Sequence, residues 1–544
     1  MMKHPYQIKI LSLLLSMILV CLSPSALNVS AEEAATEAVD EIVDEAYEAK
    51  KAAWREKLMA DDVTTDDLLI GSWVSFYSFD TDSYEYQLDQ MATAGINFNI
   101  FPRDFGSGKM FDAAYWENVE TQYAKRNMVY LMNGSLSENL VPIGLEYAAG
   151  KDHCVGYHVM DEPSGALLHV AAEVGLMYRQ GDTTRYPFTN LLPSYAGEAV
   201  LGGTYLEHVS RYVELIGAEN LEYLSHDYYP FRDGNVVMTD IFADMEVLRS
   251  VAYENGKLKT HAFPQSTAWN GTRMPDIDEM RWNVYGYLAY GFKALSWFNL
   301  VCPGASDTEG EGFRDSIIYR DGTIRDPELF AAWSELNWEV RGLSSILMNL
   351  DTAHAYHTDK RPKGVEYLPE DFFLQPSSRS EFVISVMEPK EGDENYIMIF
   401  NKSQRMKEAT GKFSVDASCD VKWLEYFDPF IGEYIPVTFE DGKLIDTFRP
   451  GEGKLYRLRY DDPPVAETEA PTEAPTEPSA ETPTNAPTAE ITEVPTEAPL
   501  SEQATTEGSS AGCSSLTKGA GISVFLVALA AAFCVRKRKA EESA

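Results

Sequence analysis

Short apolar runs and longer amphipathic stretches alternate from residue 69 to residue 340, regularly enough to predict successive parallel strand–helix units. Strands are expected at Leu69 to Phe76, Ile96 to Phe101, Met128 to Met132, Val155 to Met160, Pro187 to Leu192, Tyr223 to Tyr228, Lys259 to Pro264 and Ala294 to Leu300. Helical periodicity fills the gaps, as in Tyr84 to Ala94, Ala113 to Lys125, Tyr205 to Ile216, Met238 to Glu254 and Ile277 to Tyr290. About eight such pairs is the number that closes a (β/α)8 barrel. A doubly wound open sheet is the alternative, but no Gly-rich phosphate loop follows the first strand. The last pair carries a long loop, Val301 to Asp326, with Asp307, Glu309, Glu311 and Asp315 among glycines. Its spacing does not match an EF-hand loop, so a solvated loop or lid is the reading.

Beyond the barrel the period changes to two. Stretches such as Glu381 to Met387, Tyr396 to Phe400, Lys422 to Phe427, Glu433 to Phe439 and Leu455 to Arg459, with turns at Asp441-Gly442 and Pro450-Gly451, predict an antiparallel β-sandwich. Thr-Glu-Ala-Pro repeats follow, too poor in apolar residues to fold, and read as a disordered stalk. Gly519 to Val535 is an apolar run of about 17 residues, at the short end for a membrane span. Arg536 to Lys539 come next, so the positive-inside rule places the C-terminus in the cytoplasm. At the other end Lys3, His4 and Lys9 precede an apolar run to Leu22, and small residues precede Glu32, the pattern of a secretory signal peptide. The expected organisation is a signal peptide at 1–31 and a helical lead-in at 32–62. The barrel follows at 63–350, the β-sandwich at 351–460, the stalk at 461–518, a single transmembrane helix at 519–535 and a basic tail at 536–544. The folded part would thus be tethered outside a cell membrane.

Composition narrows the chemistry. The 544 residues carry 85 Asp+Glu against 45 Lys+Arg, a net charge of −40 that repels nucleic acid phosphates. Six scattered cysteines form neither a zinc spacing nor a dense disulfide framework, so the reading includes no metal and no cofactor. Cys154 reads as a small buried hydrophobe.

The segment Cys154 to Pro163 is a strand that runs into two carboxylates, Asp161 and Glu162, and then a proline. In a barrel the C-terminal strand ends face the active site, so these acids are candidate catalytic groups; the plain alternative is a helix cap at Asp161 or Ser164. The other strand ends would add Trp73 and Phe76, Arg103 and Asp104, Asn133, Asn190, then His226, Asp227, Tyr228 and Tyr229, then Gln265 and Trp269, and finally Trp297 and Asn299. Aromatic rings interleaved with hydrogen-bonding side chains suit a sugar, which offers an apolar face and a rim of hydroxyls. For Phe76 and Tyr229 packing is the simpler role. Period-two alternation points Ser225 and Asp227 inward, making Asp227 the best second acid. Such an acid could be a nucleophile, a base acting on water, or a group orienting a substrate amide. His158 would lie in the barrel layer beneath Glu162 as a core histidine.

Asp161-Glu162-Pro163 resembles the Asn-Glu-Pro that ends the fourth strand of clan A glycoside hydrolases, and Leu295 to Asn299 resembles their eighth strand. No single family is fixed by these motifs. The resemblance implies a barrel glycosidase in which Glu162 is the acid/base and Trp297, beside a cis peptide, is the sugar platform. It also implies a strand-seven Glu nucleophile, where this chain has Gln265, a far poorer nucleophile. Two functions therefore stand side by side. One is a membrane-tethered glycoside hydrolase using Glu162, Asp227 and Asp161 on an oligosaccharide, polysaccharide or glycoconjugate. The other is a non-catalytic glycan-binding surface protein on a degenerate barrel, with a stalked adhesin using its β domain as a third variant. Oligomeric state is not legible in the sequence.

Overall fold

The computed structural model describes residues 45–74, 81–102, 112–133, 138–269, 271–302, 312–319, 322–359, 362–377 and 380–463. The expected signal peptide, stalk, membrane span and basic tail lie outside them. Among the described residues no helix is long and apolar enough to cross a membrane.

Eight parallel strands close into a barrel: β1 (Leu69–Val74), β2 (Phe98–Phe101), β3 (Val129–Asn133), β4 (Cys154–Asp161), β5 (Tyr186–Leu191), β6 (Tyr223–Asp227), β7 (Lys259–Phe263) and β8 (Ala294–Trp297). Neighbours in sequence are neighbours in the ring, and β1 pairs with β8 through Leu69 opposite Ala294 and Ser72 opposite Trp297. Alternation divides each strand between two cores. Phe98 and Ile100, Val129 and Leu131, Tyr186 and Phe188, and Phe263 pack together on the barrel axis. Tyr130, Met132, Tyr157, Leu224, Leu295 and Trp297 face the helices instead. Local signals hold those helices in place. Thr204 and Glu207 form a capping box on Tyr205–Ile216, and Asp276 and Glu279 form another on Ile277–Ala289.

A second layer of sheets follows the barrel. One sheet has six strands: β9 (Leu350–His357), β11 (Phe382–Pro389), β12 (Tyr396–Asn401), β14 (Trp423–Asp428), β15 (Glu433–Val437) and β17 (Gly453–Arg459). The other has three: β10 (Leu374–Pro376), β13 (Ala409–Val415) and β16 (Lys443–Phe448). Their facing residues, including Ile384, Ile399, Phe413, Leu444 and Phe448, form a separate apolar core. Sequence periodicity does not mark β9, β10, β13 or β16 as strands. In β13 the alternation is blurred by Gly411, while β10 is only three residues long.

The helix Ile277–Ala289 is almost wholly buried because it lies between barrel and sandwich. Its Trp282 indole donates to the Lys402 carbonyl at 3.0 Å, and Tyr285 donates to Glu339 at 2.8 Å, a carboxylate that Arg449 of the second domain also binds. The expected long loop 301–326 is partly ordered as a strand: Phe313–Ser316 pairs antiparallel with Thr267–Trp269, and Asp315 is bound by Arg325. Asp307, Glu309 and Glu311 lie outside the described residues. Trp282→Ala should remove a buried ring and a hydrogen bond that join the two layers, lowering stability by about 3–5 kcal/mol. Urea denaturation should show this as a fall in midpoint for barrel and sandwich together.

Candidate active site

Period-two alternation brings Asn133, His158, Asn190, Ser225, Asp227 and His261 to the inside of one ring, and a register shift in β4 after His158 adds Asp161. A polar belt links five strands. Asn190 Nδ2 donates to Asp161 Oδ1 at 3.1 Å, Ser225 Oγ donates to Asn190 Oδ1 at 3.1 Å, and His261 bridges Ser225 and Ser296, each at 2.9 Å. Burial, helped by His226, holds His261 neutral by pushing its pKa well below the usual value. With the Ser225 proton committed to Asn190, His261 must donate from Nδ1 and accept at Nε2. The belt thereby fixes Asn190, and through it Asp161.

The strand β4 turns sharply where it meets the basin. A register shift lies between His158 and Met160, Glu162 adopts φ +46°, and its N–H still reaches the Asn190 carbonyl at 2.8 Å. A left-handed backbone costs a non-glycine residue about 1–2 kcal/mol and so marks a position that something else requires. Here it swings the side chain off the strand line. Glu162 is exposed as a residue, yet its carboxyl group is turned among the buried groups of the basin, and burial raises its pKa. The opposing influence is Asp227, whose carboxyl lies within hydrogen-bonding reach of it.

Asp227 is 4% exposed, and burial, then the Glu162 and Asp161 charges, push its pKa well above the usual carboxylate range; Tyr229 donates to it and acts the other way. Asp161 is pushed up to about 8 by burial and by Glu162, with the Asn190 amide opposing. Three carboxyls this close cannot all ionise near neutral pH, so the cluster retains protons. Their arrangement suits proton storage, and among the described residues no cluster of acidic, His or Cys groups could hold a metal ion.

The other predicted positions divide. Trp73 lies on the barrel axis against Phe101 and His158, with ring centroids at 4.6 and 5.4 Å, and Asn133 ends β3 with its Oδ1 buried and unpartnered among the described residues. Trp269 stands in the basin wall, 4.7 Å from Tyr229 and 5.3 Å from Phe298. Arg103 and Asp104 lie outside the described residues. Four expectations are corrected. His226 alternates outward, bonding the Tyr205 hydroxyl at 3.1 Å, and Tyr228 likewise joins the helix-facing core. Trp297 cannot be a platform: Ser296 takes the inward place, so the Trp297 indole donates to Asn337 at 2.9 Å beneath Trp333. Gln265 is a strut, accepting from the Phe231 N–H and donating to the Phe231, Thr267 and Arg273 carbonyls. Both of its amide protons are committed to backbone carbonyls. Asn299 is fully buried and accepts from Ser72 at 3.1 Å.

Other residues fill the vacated roles. Tyr229, for which packing was the simpler expectation, donates to Asp227, and Phe298, whose bond to Asn299 is cis, presents the eighth-strand ring to Tyr229 at 4.9 Å. Tyr195, after β5, is 44% exposed, lies near the Asp227 and Glu162 charges, and carries Arg232 over its ring at 5.1 Å. Alternation in the sequence pointed to Ser225, and the same rule carried along β7 would have pointed to His261. Nothing in the sequence pointed to Tyr195, since a loop tyrosine has no period.

No protein-family model matches the chain, and no curated protein matches it in sequence. Among solved structures it is similar to an alpha-amylase from Anoxybacillus, at 11% identity and TM-score 0.45, over 75% of this chain and 100% of the other. It is also similar to a glycoside hydrolase family 5 protein from Bacteroides vulgatus, at 11% identity and TM-score 0.45, over 72% and 88%. An alpha-amylase from Geobacillus thermoleovorans gives 9% identity and TM-score 0.43, over 73% and 99%.

Raised proton affinity at Asp161 has a signed consequence for stability. The folded chain keeps this proton up to about pH 8 while the unfolded chain releases it near pH 4, so stability drains away as pH rises between those values. Asp161→Asn should keep the contact with Asn190 and flatten that slope. Chemical denaturation from pH 4 to pH 8 should show the variant gaining on the wild type steadily toward pH 8.

Proposed function

We propose that the chain is a glycoside hydrolase in which Glu162 and Asp227 form the acid/base pair. The observation that carries this reading is the carboxyl pair itself: two acids within hydrogen-bonding reach at the C-terminal mouth of a closed barrel, with a third beside them. Cleaving a glycosidic bond requires a carboxyl that is still protonated near neutral pH, and burial beside like charges supplies one. Glu162, on the rim, is the group a glycosidic oxygen can meet. Asp227 lies deeper and holds the proton that the pair shares. Inverting sites separate their carboxyls by about 6.5–9.5 Å to admit a water, and this pair is far closer. Asp227 thus acts from Glu162's own side, steering a substrate amide whose carbonyl oxygen bonds to the anomeric carbon as the bond to the oxygen protonated by Glu162 breaks; water then opens that intermediate and returns the proton to the pair. The rings of Trp269, Tyr229 and Phe298, with Tyr195 at the opening, suit the apolar face of an oligosaccharide, polysaccharide or glycoconjugate.

A second reading has one observation in its favour. Gln265 stands where a strand-seven carboxylate would attack, and its amide is spent on backbone groups, which suits a barrel that binds glycans without cleaving them. A panel of glycans offered to wild type, Glu162→Gln and Asp227→Asn separates the two. The enzyme reading expects hydrolysis in the wild type and a fall of at least about 100-fold in kcat for each variant. Binding without turnover, unchanged in both variants, supports the second reading.

The chain's ends support an extracellular, membrane-tethered location: a signal-like segment at 1–31, a Thr/Glu/Pro-rich stalk at 461–518, and an apolar run at 519–535 before a basic tail. Protease treatment of intact cells should release the barrel and sandwich by cleaving the stalk, while the tail stays with the membrane. Retention of the whole chain inside treated cells would place it elsewhere.

A further inference from the structure

The barrel's other end holds a cleft that the proposed chemistry does not use. It lies at the N-terminal face, where β7 and the turn before β8 meet β9 and the end of β11, and it is open to solvent on one side with about 30 Å³ of room inside. A single water needs roughly 10–15 Å³ on the same measure. In a chain of net charge −40 its lining is basic: Lys257, Lys259, Lys293, Lys390 and Arg249 against one acid, Asp351.

Two of these cations are already spoken for. Arg249 binds Glu246 and the Thr352 and Ala353 carbonyls, and Lys259 pairs with Glu222 at 2.5 Å. The remaining three share Asp351 and Glu388 as their nearest counter-charges. Lys257 lies 3.4 Å from Asp351 and 3.8 Å from half-exposed Glu388, and Lys390 is 3.9 Å from the same Asp351. Lys293 is 3% exposed, and among the described residues its ammonium donates only to the Leu347 carbonyl, at 2.6 Å. Burial, then Lys390, with Asp351 opposing and Lys259 adding, brings its pKa down to about 7. Gathering like charges around a buried amine is unfavourable unless something else compensates.

A neutral donor lines the cleft too. The Thr352 hydroxyl is buried and unpartnered among the described residues. Gly291, at φ +84°, keeps the space in front of it open, since a Cβ there would stand 2.5 Å from that hydroxyl.

We propose that this cleft binds a small tetrahedral oxyanion, a phosphate or a phosphate monoester, held by Lys293, Lys390 and Lys257 with the Thr352 hydroxyl. Three ammonium groups and a hydroxyl supply the donors such an anion needs, and the open side lets an ester substituent project into solvent. The site is separate from the carboxyl cluster, so it neither depends on the glycosidase reading nor falls with it.

Calorimetric titration of the full chain with inorganic phosphate, and in parallel with glycerol phosphate, tests the assignment at fixed ionic strength. Saturable binding of either, weakened at least tenfold in Lys293→Met and in Thr352→Val, is the expected result. Preference for one of the two then tells free anion from ester. Lys390→Gln, at an exposed position, carries the same test should Lys293→Met fail to fold. Absence of binding by both anions, or affinities unchanged in the folded variants, overturns the proposal.

Discussion

Closing eight parallel strands into a ring leaves no strand edge free and gives each side chain one of two destinations, the axis or the helix layer. The wall of the site follows from that division. Ser225 and Asp227 go inward and His226 between them goes outward; Ser296 goes inward and Trp297 outward. Two of the three acids at the mouth, Asp161 and Glu162, instead break the alternation. A register shift precedes Asp161, and a left-handed turn carries Glu162 out of strand line. Regular strands make the wall, and irregular strand ends make the chemistry.

Inside that wall the electrostatics are set by what surrounds the acids rather than by their number. Asn190, fixed by the Ser225–His261–Ser296 belt, offers Asp161 one donor, and Tyr229 offers another to Asp227. No lysine or arginine forms an ion pair with any of the three carboxyls among the described residues. Burial and mutual repulsion therefore outweigh hydrogen bonding, and protons stay where a solvated acid would lose them. The opposite face of the barrel shows the reverse case, with lysines collected around too few acids. One fold thus carries two like-charge clusters at opposite ends, each satisfied most simply by something that comes from outside: a proton at one, an anion at the other.

The second domain is tied to the first by specific contacts. Trp282, Tyr285 and Glu339 on the barrel side engage Lys402 and Arg449 on the other, and β9 lines the basic cleft. Docking buries the helix Ile277–Ala289 on every side, which explains why its sequence shows so weak an amphipathic pattern: a helix packed all round has no solvent stripe to write into the sequence.

Much of the architecture was legible in the chain because its cause is local. Strand and helix periods follow from side-chain direction within one element, so eight strand–helix pairs, the inward side of Asp227 and the strand-end place of Asp161 and Glu162 could be read directly. What could not be read depends on where a strand stops and what lies across from it. Trp297 looked like a platform because its neighbourhood resembled one, but one step of register sends it to Asn337 and leaves the inward role to Phe298. Gln265 looked like a failed nucleophile, yet its partners at residues 231 and 273 are remote in sequence, so only the folded loops reveal a strut. The approach of Glu162 to Asp227 is of the same kind. Sequence determined that both acids exist at strand ends; closure of the ring and the turn at Glu162 decided that their carboxyls come within hydrogen-bonding reach.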